Sequence, residues 1–196
     1  MMAGSRERRS SSRAGRGVRL LERGAEFDQL SAVIDTLRAG EGTVLVIDGE
    51  AGIGKTALLD AAVARASEAA LDVLTARAGE AEQHHAHGVV RQLMEPALKA
   101  LDKRTREAVL SGAAAVAQSV LGLGSPAAPV DPATALHGLY WLTANLATER
   151  PLVIAVDDAH WVDVASLHYL LYLARRLEGL PVLLALTVRT CDPVTD

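Results

Sequence analysis

A single cysteine, Cys191, in 196 residues excludes an internal disulfide framework. Aromatic residues are almost as scarce, with one Phe, two Trp and three Tyr, so the core falls to Ala, Leu and Val. That balance disfavours an aromatic-rich sandwich and favours helices and strands packed through aliphatic layers, an α/β expectation. Positive charge is not in excess either. Twenty Lys and Arg stand against 24 Asp and Glu, a formal net charge of −4, and nothing draws the chain as a whole to nucleic acid. No apolar signal core follows the first methionines, so a reducing cytoplasm is the expected location. One uncharged run, residues 111–130, is long enough to span a bilayer but is diluted by Gly, Ser, Gln and two prolines. It reads as an Ala-rich helix entering a loop at 122–132, with no membrane role.

Residues 1–17 carry Arg6, Arg8, Arg9, Arg13 and Arg16 among Ser and Gly, the composition of a disordered, solvated tail. Residues 18–196 form the one domain that this length allows. Helical spacing begins near Gly24, with Phe27, Leu30, Ile34 and Leu37 on one face and Gly40 as the stop. Residues 43–48 (TVLVID) are short, apolar and β-branched, as suits a strand buried on both faces of a parallel sheet. Residues 57–70 are helical again, with Leu58, Leu59, Ala62, Val63 and Ala66 as the stripe. A second strand is expected at 72–76, then helices near 89–101, 105–121 and 133–148. Two further apolar runs, 152–156 and 182–188, flank a helix whose stripe reads Leu167, Leu170, Leu171, Ala174 and Leu177. Strands alternating with helices predict right-handed crossovers, a mostly parallel sheet and helices on both faces.

The chemistry concentrates at the first strand-to-helix turn. Gly49, Glu50, Ala51, Gly52, Ile53, Gly54, Lys55 and Thr56 satisfy G-x-x-x-x-G-K-[ST], between an expected strand and an expected helix. Glycines let the backbone curl around an anion, so N–H groups from about Ala51 to Ala57 can face phosphate oxygens, aided by the helix N-terminus. Lys55 is expected between the β- and γ-phosphates, and the Thr56 hydroxyl on a magnesium ion. Asp157 and Asp158 end the apolar run 152–156. Asp157 is the expected metal acid, acting through the ion's water shell; Asp158 either activates the attacking water or only caps its own loop. Arg189, after the fourth strand, either reads the γ-phosphate or makes a surface salt bridge. His84, His85 and His87 lack a metal-ligand frame and read as a solvated loop. His160 and Trp161 either contact the nucleotide or a neighbouring domain or, as expected for Trp161, pack in the core, and Cys191 is by default expected to be an inert thiol.

Taken in order, Leu20-Leu21-Glu22-Arg23, Ala25-Glu26-Phe27, GEAGIGKTALL, His87-Gly88-Val89-Val90-Arg91-Gln92-Leu93, VDDAHWVDVASLHYL and LALTVR resemble one family from about residue 18 to 189. The chain looks like the ATPase domain of large ATP-binding LuxR-type transcriptional regulators, a bacterial branch of the STAND class of P-loop NTPases related to AAA ATPases. The resemblance implies that residues 49–56 are a Walker A loop and that Asp157 and Asp158 complete Walker B. It also implies that Thr187 and Arg189 stand at the sensor position, and that Arg23 and Glu26 lie near the adenine. It further implies an ATP/ADP switch, with helical and DNA-binding output domains that are not within these residues. A fifth strand and a helical lid follow the fourth strand in that family. Without them the first strand is an open edge, inviting self-association or association with longer homologues. A regulatory ATP–magnesium module with slow or no hydrolysis, an independent ATPase and a fragment acting through protein interaction all remain open.

Overall fold

A computed structural model describes residues 24–123 and 130–189, apart from the side chains of residues 24–28 and Glu82. The basic stretch 1–17, Arg23 and Cys191 lie outside the described residues. The elements run α1 (Gly24–Arg38), β1 (Thr43–Gly49), α2 (Lys55–Glu68), β2 (Asp72–Arg77), α3 (Gly88–Ala100), α4 (Lys103–Val109), α5 (Val116–Leu121), α6 (Pro132–Leu146), β3 (Leu152–Asp157), α7 (Val164–Ala174) and β4 (Val182–Arg189). The four strands form one sheet in the order β1-β4-β3-β2, every neighbouring pair parallel. This is the expected α/β architecture, with β1 directly beside β4.

The two-residue period of the strands separates two cores. On one face Val153, Ala155, Leu183, Ala185 and Ile47 meet Leu30, Ile34 and Leu37 of α1 and Leu58, Leu59, Ala62 and Ala66 of α2. On the other, Leu152, Ile154, Val156, Val182 and Leu184 meet the buried faces of α3, α5, α6 and α7. Each buried aliphatic side chain contributes roughly 1.5–3 kcal/mol, so the central strand β3, buried along its whole length, anchors both layers. Local signals agree with the packing. Asp102, Asp131 and Asp163 cap α4, α6 and α7, accepting from the N–H of Thr105, Thr134 and Ser166.

Three expectations are corrected. β1 is not buried on both faces: of its residues only Ile47 is buried, while Val44 is 39% and Val46 51% exposed. It is an edge strand: Val44 and Val46 stay exposed although their register partners on β4, Leu184 and Leu186, pack into the larger core. The expected helix over 105–121 is three pieces, α4, a 3₁₀ turn at Gly112–Ala115, and α5. Gly112 breaks it with φ +62°, and the pieces fold back on α6 at Gly138, where a Cβ would come within 2.9 Å of Val116 Cβ. Finally, α7 buries Ser166, Tyr169, Leu170 and Leu173, leaving Leu167 and Leu171 41% and 48% exposed. The helix is apolar nearly all round, so spacing alone could not choose its inner face. Hydrogen bonds choose it: Val90 N–H donates to Ser166 Oγ, and the Tyr169 hydroxyl lies 2.6 Å from that of Thr143. Among the described residues no helix is long and apolar enough to cross a membrane.

Candidate functional site

The strand ends of a parallel sheet present their loops on one side, and the expected phosphate residues gather there. β1 ends at Gly49, the loop turns through Gly52 at φ +82° and Gly54 at φ +90°, and α2 starts at Lys55. These left-handed angles are open to glycine at little strain, which is why the loop can turn tightly enough for α2 to begin at once. Lys55 is only 8% exposed, and its ammonium donates to the carbonyls of Gly49 and Glu50, both at 2.7 Å. The side chain therefore lies across the loop that it serves. A buried cation held by two neutral carbonyls keeps unspent attraction for an anion.

The next residue reaches across the sheet. The Thr56 hydroxyl donates to the Asp157 carboxylate, 3.0 and 3.2 Å from its two oxygens. Asp157 ends β3 and is 6% exposed. Thr187 of β4, fully buried, donates its hydroxyl to Asp157 Oδ1 at 2.6 Å and accepts from the Asp158 N–H at 2.8 Å. One threonine thus fixes the carboxylate of the first aspartate and the backbone of the second. Asp158 takes φ +54°, a left-handed geometry that Asp tolerates better than most residues. Its side chain makes no capping hydrogen bond with the 3₁₀ turn that follows, Ala159–Trp161; its carboxylate faces Arg77 instead. Arg77 lies 3.5 Å from Asp157 and 3.6 Å from Asp158 as an ion pair to each.

Sequence reasoning overlooked Arg77. It is the register partner of Asp157 on β2, and only the strand order reveals that neighbour. Arg189 is the register partner of Gly49, which places it beside the phosphate loop; it is exposed, with no ion pair among the described residues. Trp161 packs partly buried against the larger core, as expected, with its ring 5.2 Å from that of His160. Both ring nitrogens of His160 are buried without a hydrogen-bond partner. His84 and His85 are exposed and His87 is half-buried. No group of three His, Cys, Asp or Glu suited to a metal ion occurs among the described residues.

The loop, its lysine and the Thr56–Asp157 pair match the parts expected of a P-loop nucleotide site, and a family model shows the family. The AAA ATPase domain matches residues 19–185. This chain belongs to that family. Membership in the AAA ATPase domain implies nucleotide binding. Among solved structures, this AAA domain is similar to the Aeropyrum pernix ORC2 protein in ADPNP–ADP complexes, at 22% identity and a TM-score of 0.53, covering 87% of this chain and 42% of that one. It is also similar to Drosophila ORC bound to DNA, at 18% identity and a TM-score of 0.52, covering 85% of this chain and 37% of that one. At these identities the likeness concerns the fold. The chain spans less than half the length of either structure. No curated protein matches it.

Proposed function

We propose that this AAA domain is the ATP–magnesium-binding regulatory module of a LuxR-type transcriptional regulator, hydrolysing ATP slowly or not at all. The observation that carries the nucleotide part is the continuous network Thr56–Asp157–Thr187–Asp158, which ties the phosphate loop to two neighbouring strands. Thr56 and Asp157 offer hard oxygen donors to each other's immediate vicinity, and such donors fit magnesium. Those two residues would hold the ion, whose chemistry is to neutralise phosphate charge. Lys55 exchanges its loop carbonyls for phosphate oxygens, and backbone N–H groups from Ala51 to Ala57 cradle the phosphates. Asp158, facing the same side of the sheet, orients a water for attack, and Arg189 offers a guanidinium to the γ-phosphate. Arg23 is assigned to the adenine side by resemblance. The LuxR-type context rests on the ordered motifs from Leu20 to Arg189, and the output domains it entails belong to that context.

Titration calorimetry of the purified chain with ATP and magnesium, beside GTP and Lys55→Ala, tests this reading. Saturable ATP binding lost in folded Lys55→Ala is expected; an unchanged dissociation constant removes Lys55 from the site. A second reading, association through β1 with another copy or a longer homologue, is favoured by one observation: this edge strand exposes Val44 and Val46 and carries neither Pro nor Lys to deter pairing. An independent ATPase would instead show multiple turnovers by the chain alone.

A further inference from the structure

A cavity of about 450 Å³ lies between the N-terminal ends of α3, α6 and α7, sharing no residue with the phosphate loop or with Asp157 and Asp158. That size suits a small organic molecule. Its lining, drawn entirely from described residues, is of two kinds. Val130, Pro132, Leu136 and Val164 provide aliphatic walls, while His84 and His87 of the loop before α3 and His168 of α7 bring three imidazoles. Two of the histidines that read as a plain solvated loop in the sequence are therefore joined by His168 of α7, 81 residues beyond His87 by their numbers.

The polar inventory says what head group the cavity accepts. Among the described residues Asp163 is the only carboxylate in the lining, and it is already committed. It accepts from the backbone N–H of His87 at 2.8 Å, Val89 at 3.3 Å and Ser166 at 2.9 Å. Its charge also sits across the N-terminal ends of α3 and α7, whose positive dipole ends compensate it. None of the rings of His84, His87 and His168 makes a hydrogen bond among the described residues. Each imidazole carries an N–H donor in every protonation state it adopts. Among the described residues the lining thus holds uncommitted donors and no uncommitted carboxylate, beside an apolar space.

We propose that this cavity binds a small apolar molecule bearing a carboxylate head, the body held by the aliphatic walls and the head by the imidazoles. The occupant would touch the residues that cap both α3 and α7, on the same chain segment that leads out of Asp157 and Asp158.

Three probes with the same tail and different heads test it: octanoate, n-octanol and octyltrimethylammonium, each titrated calorimetrically below its aggregation range into the 196-residue chain. Octanoate should saturate at one site, with octanol weaker and the ammonium weakest. His84→Ala with His168→Ala, both exposed positions, should weaken octanoate about tenfold and leave octanol unchanged, as loss of a hydrogen bond to a charged head requires. Leu136→Trp, which fills the cavity, should abolish binding of both, with circular dichroism confirming the fold. Octanoate bound equally by the parent and both variants would place it elsewhere, on the exposed Leu167 and Leu171 surface, and overturn the proposal. So would an ammonium that binds as tightly as octanoate, or a folded parent that binds none of the three.

Discussion

Thr187→Val removes one hydroxyl and almost no volume, so it isolates the junction between the two aspartates. The hydroxyl is fully buried, donates to Asp157 Oδ1 at 2.6 Å and accepts from Asp158 N–H at 2.8 Å. A hydrogen bond to a charged group contributes about 1.5–3 kcal/mol, and an unsatisfied buried N–H costs about 1–3 kcal/mol. The two losses share one atom and do not add fully; the expected destabilisation is about 2–4 kcal/mol. Valine is as well suited to a strand as threonine, so backbone propensity does not enter. With a urea dependence of about 2 kcal/mol per molar, the unfolding midpoint should fall by about 1–2 M. Thr187→Ser is the control. It keeps both hydrogen bonds and loses one buried methyl, about 0.5–1.5 kcal/mol. A Thr187→Val midpoint equal to the parent's, or higher than that of Thr187→Ser, would refute the role given to this hydroxyl.

Other perturbations act on the neighbouring groups. Asp158→Asn should preserve ATP affinity and slow phosphate release; equal turnover by mutant and parent would remove Asp158 from the hydrolytic role. Arg77 is a 70% exposed cation contacting both acids, and such pairs are worth about 0.2–1 kcal/mol. Arg77→Ala should therefore lower the magnesium concentration for half-maximal ATP binding by at most about fivefold, and a raised requirement would mean that Arg77 assists the ion. Burial alone would raise the pKa of Asp163, but hydrogen bonds from Ser166, Val89 and His87 outweigh it and hold the pKa below the ordinary 3.8. Its stabilisation is then complete above the unfolded value and lost as pH falls through the lower folded one. Acid unfolding followed below about pH 4 should show this dependence in the parent and a shallower one in Asp163→Asn.

Much of the site is legible in the chain because its parts are local. The phosphate loop needs glycines, a lysine and a threonine within eight consecutive positions, and Asp157 announces itself at the end of an apolar run. The sequence by itself therefore determined the strand–loop–helix unit, the alternation that makes the sheet parallel, and the residues proposed to hold phosphate. What it left open depends on which surfaces meet. Arg77 reaches the acids only because β2 pairs with β3, and Val44 and Val46 are exposed only because β1 takes the edge. α7 is apolar on two sides, so its buried face was selected by Ser166 and Tyr169 finding partners on α3 and α6. Periodicity records what a helix or strand can bury, whereas the partner that buries it, and the side chains brought beside it, are decided by contacts distant in the chain.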